Sequence, residues 1–231
     1  MELLTKNNSV QLYNLRSSAF KYYALGLEYK AKKYVPSLER RSQQLEADLK
    51  GEDIPLPSFA NKFVKYGEEH EICGIAKWLL VNQEEPKNYG VNQENYVIQD
   101  WLNDGSNISI STTPDGISED DSRLIEVKCS AMGKKNYPKF PMEHLPQIAG
   151  QMMILNMLNI PVKMVNLVNW TPTKTKIWVY ERNKDYENYL IDCLEHYSMC
   201  LLGKEKLCEP VEYEGEIKTQ LIYDSEKREE T

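Results

Sequence analysis

The stretch STTPDGISEDDSRLIEVKCS, residues 111–130, places a Pro-Asp pair, a short acidic turn and then Ile-Glu-Val-Lys inside an apolar run. On an extended strand successive side chains point to opposite faces. Leu124, Glu126 and Lys128 therefore share one face, and Ile125, Val127 and Cys129 share the other. The second is a plain core face, whereas the first sets a carboxylate beside an ammonium. NISIST reads as a strand ending at Pro114-Asp115-Gly116, so residues 107–129 are expected to form a β-hairpin closed by SEDDS. That hairpin would bring Asp115 to the start of the Glu126–Lys128 face. Two carboxylates on adjacent strands make a hard-oxygen site suited to Mg²⁺ or Mn²⁺. A neighbouring Lys can polarise a bound water or offset charge on a phosphate. Glu-x-Lys by itself equally fits a surface ion pair, and the Pro-Asp at hairpin spacing is what sets this one apart.

Two helical patterns add polar residues in awkward places. In NKFVKYGEEHEICGIAKWLL the face holding Glu71 also holds Val64, Ile75 and Trp78. A carboxylate in an apolar stripe is costly unless compensated; a cation or its water would do so, as would a place at the stripe's edge reaching solvent. In MEHLPQIAGQMMILNM, Gln147 and Gln151 are four apart and in line with Ile154 and Leu158. Two amides on a core-facing stripe need hydrogen-bond partners, either in a cleft or on the backbone.

The elements that must carry these residues follow from patterning. Residues 9–49 read as one or two helices broken at Pro36. GEDIPLPS is a loop leading to a helix from about 58 to 82, and the segment after it has no decisive period. Residues 142–159 read as a helix with Pro146 in its first turn. VKMVNLVNW and TKIWVYER read as strands, and KDYENYLIDCLEHYSMCLLG as a helix stopped by Gly203. The order describes a single α/β or α+β domain with a central mixed β-sheet.

Composition narrows the class. The 231 residues suffice for one large core, and no apolar run reaches the length of a membrane span. The beginning MELLTKNNSV lacks a signal-peptide pattern. The five cysteines are odd in number and widely spaced, which favours reduced thiols in a cytoplasmic protein. Residues 209–231 hold eight acids and three bases, so most of the net charge of −7 sits in an acidic C-terminal segment, expected to be partly disordered. Two local basic groups remain: Lys30, Lys32, Lys33, Arg40 and Arg41, and then Lys134, Lys135 and Lys139. Phosphate backbones respond to such local fields, although either group also suits an ordinary solvated surface.

With these blocks in order, the chain resembles the lambda exonuclease (YqaJ-type) family of phage recombination nucleases, within the PD-(D/E)xK superfamily. YGEEHEICGIAKWL is similar to its Gly-x-x-x-Glu-x-x-Ala helix, with Gly67 and Glu71 in the marked places. STTPDGISEDDSRLIEVKC is similar to its Ser-Pro-Asp-Gly hairpin and Glu-x-Lys-Cys strand. HLPQIAGQMMIL is similar to its Gln-x-x-x-Gln helix, and NLVNWTPTKTKIWVYERNKDYENYL to its closing hairpin and helix. The register holds from about residue 60 to 200. The resemblance implies a restriction-endonuclease-like domain over residues 1–208, with a helical N-terminal part to 58 and a nuclease core over 59–203. It implies Asp115, Glu126 and the Val127 carbonyl as metal ligands, Glu71 on a second metal or its water, Lys128 orienting the attacking water and Gln147 near the scissile phosphate. Thr113 takes the place of a Ser that contacts the backbone. The family's 5′-phosphate-capturing Arg and Ser have their nearest counterparts in Arg16, Ser17 and Ser18, at a different spacing.

The function expected is therefore a Mg²⁺- or Mn²⁺-dependent DNA exonuclease, acting 5′ to 3′ on linear duplex ends. The resemblance adds a single-strand annealing partner and a ring-shaped trimer. A structure-selective endonuclease, a Cas4-like end-trimming nuclease and an idle DNA-binding domain are the alternatives. The Cas4-like form normally holds an iron–sulfur cluster on four cysteines, one of them ahead of the core. Here no Cys precedes Cys73, and Cys193, Cys200 and Cys208 lie seven and eight apart.

Overall fold

The structure is a computed structural model that describes residues 12–31, 33–55, 58–130 and 137–227. Its strands are β1 (Tyr13–Arg16), β2 (Glu28–Lys30), β3 (Lys33–Val35), β4 (Tyr96–Ile98), β5 (Ile108–Thr112), β6 (Gly116–Ile117), β7 (Arg123–Cys129), β8 (Met164–Trp170), β9 (Thr175–Glu181) and β10 (Thr219–Asp224). Its helices are α1 (Phe20–Leu25), α2 (Leu38–Lys50), α3 (Ser58–Asn82), α4 (Leu145–Met157) and α5 (Lys184–Leu201). A five-stranded mixed sheet runs in the order β10-β9-β8-β7-β6, and a smaller sheet runs β1-β5-β4. No helix among the described residues is long and apolar enough to cross a membrane.

The alternation read along β7 organises the core. Leu124 joins Val165, Leu167, Trp178 and Tyr180 against α4 and α5. Ile125 and Val127 join Val168, Ile177 and the α3 residues Ile75 and Trp78. The sheet thus carries α4 on one face and α3 on the other. β7 and β8 are parallel, which demands a long crossover, and α4 supplies it. Trp78 Nε1 donates to Asn166 Oδ1 at 2.7 Å and fixes α3 to β8. The helix stop expected at Gly203 is present, with φ +67°.

Close approach of α3 to β7 depends on a glycine. A Cβ at Gly74 would lie 2.3 Å from Val127 Cγ1, whereas one at Gly67, the glycine of the sequence motif, would meet nothing within 4 Å. Gly74 therefore lets the turn of helix after Glu71 settle onto the strand that bears Glu126 and Lys128.

Two expectations are corrected. The described residues from 12 to 35 are not continuous helix: β1, β2 and β3 lie there with the six-residue α1, and the break at Pro36 precedes α2, capped by Ser37. The 107–129 stretch is not one hairpin. β5 pairs with β1 and β4, and only the two-residue β6 pairs with β7. Pro114 cannot donate to a ladder, so the chain leaves one sheet at β5 and enters the other at β6. The acidic C-terminal segment contributes β10, which pairs antiparallel with β9 and buries Tyr223 in the α3-side core.

Gly74→Ala is expected to lower stability by about 1–3 kcal/mol through overpacking against Val127. Adding Val127→Ala should restore part of that loss in urea unfolding. Wild-type stability in the single variant would show that α3 tolerates more space than the contact indicates.

Candidate active site

The short β6 leaves the β7 edge open beyond Ile125, and the polar residues gather there. Because Pro114 ends the ladder, the next β7 donor turns to a side chain: Val127 N–H donates to Asp115 Oδ2 at 2.6 Å. The N–H and C=O of one strand residue point to the same side, so the Val127 carbonyl also faces this edge.

Glu126 projects toward α4 and is only 2% exposed. Gln147 Nε2 donates to its Oε1 at 2.7 Å and Gln151 Nε2 to its Oε2 at 2.6 Å. Lys128 forms an ion pair with the same carboxylate. The partner of the two awkward amides is thus the awkward carboxylate. Gln151 spends its donor on this charge-assisted bond, and its buried Oε1 has no partner among the described residues.

Glu71 approaches from α3, across the open edge. Gln93 Nε2 donates to Glu71 Oε1 at 2.7 Å and lies 3.5 Å from Asp115 Oδ1, bridging the two carboxyls. Sequence reading missed Gln93, which sits in a polar loop with no period to mark it. Ile75 and Trp78 in the Glu71 stripe are buried, while Val64 is exposed.

Charge at this edge is unbalanced. Burial, then repulsion from Glu126, pushes the Glu71 carboxyl above its ordinary range. Burial, then Glu126 and Glu71, pushes Asp115 well above its own. Burial pulls the Lys128 ammonium down, but Glu126, Asp115 and Glu71 outweigh it and hold its pKa above the usual value.

A second feature adjoins the first. A recess of about 90 Å³ is lined by Arg16, Ser17, Ser18, Asn95, Thr113 and Gln147, among others. Ser17 Oγ donates to Thr112 Oγ1 at 2.9 Å, tying the N-terminal segment to β5, and Thr113 Oγ1 donates to Asn95 Oδ1 at 3.2 Å. Arg16 is exposed, with Asp53 3.3 Å away. The structure therefore brings Glu71, Asp115, Glu126, Lys128 and Gln147 to one edge and sets Arg16, Ser18 and Thr113 beside Gln147. Lys134 and Lys135 lie outside the described residues. Arg41 is no surface charge: it is buried, donating to the Tyr23 carbonyl at 2.6 Å. His70 stacks between Tyr66 and Trp170.

A mixed sheet between two helices, with Asp115, Glu126, Lys128 and Glu71 gathered at the open strand edge, is the arrangement of a restriction-endonuclease-like fold. Within that class the chain is similar to the solved structure of LHK-Exo in complex with dAMP, at 17% identity over 82% of this chain and 86% of that one, with a TM-score of 0.53. It is also similar to SSO0001, at 17% identity over 82% of this chain and 77% of that one, with a TM-score of 0.45. The likeness to LHK-Exo establishes a shared fold. No protein-family model and no curated protein matches the chain.

The raised Asp115 pKa has a measurable consequence. The folded protein holds a proton there more tightly than the unfolded chain, whose Asp titrates near about 3.9. Stability is thus gained as pH falls through the raised value and is forgone above the ordinary Asp range, where the unfolded chain gives up its proton more readily than the folded one. Asp115→Asn keeps an oxygen for Val127 N–H and removes the charge. In cation-free buffer at pH 7 its Tm should exceed wild type by on the order of 3 °C, roughly what 1 kcal/mol produces at this size. The gap should close toward pH 4 in a pH series of melts. An unchanged or lowered Tm at pH 7 would show that the Asp115 charge is not strained.

Proposed function

We propose that the protein is a divalent-cation-dependent deoxyribonuclease, an exonuclease acting 5′ to 3′ on linear duplex DNA. The observation that carries this reading is the convergence of Asp115, Glu126 and Lys128 on one open strand edge, with Glu71 and Gln147 reaching it from opposite faces of the sheet and a hydroxyl-lined recess alongside. LHK-Exo, whose fold the chain shares, is seen with a deoxynucleoside monophosphate.

The donor chemistry fits a hard cation. Asp115, Glu126, Glu71 and the Val127 carbonyl offer only oxygen ligands, the set that Mg²⁺ and Mn²⁺ prefer. Burial, and after it mutual repulsion, raises the Glu71 and Asp115 carboxyls, and a cation would offset both costs. Among the described residues no three His, Cys, Asp or Glu side chains are already spaced as a ligand shell, and Glu126 is engaged by Lys128, Gln147 and Gln151. When bound, Mg²⁺ or Mn²⁺ supplies Lewis-acid stabilisation of charge on phosphoryl oxygens.

The chain's own residues do the rest. Lys128, held on the Glu126 face, orients a water for in-line attack and faces the charge that develops on phosphorus. Gln147 touches both Glu126 and the recess, so it links the carboxylate to the substrate's backbone. Gln151 acts through Glu126, fixing its rotamer from the core side. Arg16, Ser18 and Thr113 offer a guanidinium and two hydroxyls to a DNA phosphate, and we assign them to the strand end. Lys134 and Lys135 would add backbone contacts. A ring trimer around duplex DNA and a single-strand annealing partner belong to the same reading.

End-labelled linear duplexes and closed circles digested in parallel test it. Linear-only cleavage that EDTA abolishes and Mg²⁺ or Mn²⁺ restores is expected. Cleavage of circles would favour an endonuclease on the same core, and EDTA-resistant hydrolysis would remove the cation. Lys128→Ala should lose at least 10²-fold in rate while DNA binding by mobility shift persists. Arg16→Ala should reduce the preference for 5′-phosphate over 5′-hydroxyl ends. An unaltered preference would exclude Arg16 from end capture.

A further inference from the structure

A cleft of about 490 Å³, far larger than the recess that holds Gln147, is lined in part by Leu145 and Pro146 at the start of α4. Its walls are the β2–β3 hairpin, the first turn of α4 and the chain that follows α5. Six tyrosines line it: Tyr29, Tyr34, Tyr137, Tyr186, Tyr189 and Tyr213. Hydrolysis uses none of them. Tyr186, Tyr189 and Tyr213 form a tilted trio with ring centroids 5.1–5.5 Å apart, and Tyr29 and Tyr34 pair across the hairpin at 5.2 Å.

Tyrosines that only filled a core would be covered. Tyr29 is instead 58% exposed, Met142 in the same cleft 51%, and Val211 beside it 72%. The charges among these rings are mostly negative. Burial and then Glu143 raise the Tyr34 and Tyr137 phenols, and Glu212 stands with Glu143 in the lining. Lys33 is the one cation among the described lining residues. The strap that bears Tyr213 also carries Glu209, Glu214 and Glu216.

This combination selects by chemistry. A phosphate backbone would meet carboxylates, and a purely apolar ligand would leave them unpaired. A guanidinium or ammonium on an apolar stem satisfies both, because ring faces attract cations and carboxylates take their hydrogen bonds. The exposed apolar surface extends past the cleft along its rim, which calls for a chain to cover it. We propose that this cleft docks an extended segment of a partner protein, presenting an arginine or lysine between apolar or proline residues. The hydrolytic reading is not needed for this docking surface.

Fluorescence anisotropy of the full chain with a labelled decapeptide of alternating Pro and Arg tests it. The same peptide with citrulline for arginine and a labelled ten-residue oligothymidylate serve as comparisons. Saturable binding of the arginine peptide is expected, at least tenfold weaker for the citrulline peptide. Tyr29→Ala and Glu212→Lys, both at exposed positions, should each weaken it at least fivefold. Glu195→Lys, an exposed α5 position outside the cleft, should change it less than twofold. Equal affinity for the citrulline peptide would overturn the proposal. So would an equal loss with Glu195→Lys, which would reduce the effect to overall charge. Tighter binding of oligothymidylate, lost in Tyr29→Ala, would reassign the cleft to nucleic acid.

Discussion

A carboxylate buried on the core side of a strand is the constraint around which the molecule is arranged. Glu126 cannot sit at 2% exposure without partners, and the partners come from two elements. Lys128, two residues on, shares its face; Gln147 and Gln151, one helical turn apart, reach it from α4. These contacts fix where α4 lies over the sheet. The parallel β7–β8 pairing then requires a helix at that place. An ordinary fold would remove such a charge from its core. Keeping it, with two amides committed to its orientation, sets an acceptor immovably at the edge of a cleft.

The second constraint is the open edge of β7. A full-length neighbour would have satisfied every backbone group beyond Ile125 and sealed the position. Pro114 prevents that, and β6 is left with two residues. Asp115 takes over one backbone donor, and Glu71 with Gln93 can approach from the α3 side. The same proline therefore starves a strand of a partner and opens a site. Gly74 serves the arrangement from below, by letting α3 lie close enough for Glu71 to reach across.

Legibility in the sequence followed the strength of local periodicity. The two faces of β7 were readable because alternation with period two is unambiguous over seven residues. Glu71, Gln147 and Gln151 stood out because each interrupts an apolar helical stripe. Gln93 and Asn95 lie in a loop where nothing marks a polar residue as special. The strands β1 to β3 have three or four residues each, too few for a period, and they look like helix when read with the helix formers around them. The hairpin over 107–129 failed for a different reason: a turn signal shows that a chain bends, not which sheet it bends into. β10 was hidden by the acids before it, which shift the composition of a segment whose last residues still alternate.

The dispersion of the site along the chain bears on how the molecule comes to exist. Residues 71, 93, 115, 126 and 147 belong to separate segments, and β7 meets β8 only after an intervening helix is in place. Contacts between distant segments carry loop-closure costs that local ones escape, and parallel pairing is among the slower events of folding. The order of assembly is therefore biased: α2, α3 and α5 can form from local signals, while the acidic edge exists only after the central pair has closed. A chain emerging from the ribosome holds no part of that edge in working order until residue 170 is available to complete β8. Any hydrolytic capacity is thus withheld until the tertiary structure is nearly whole.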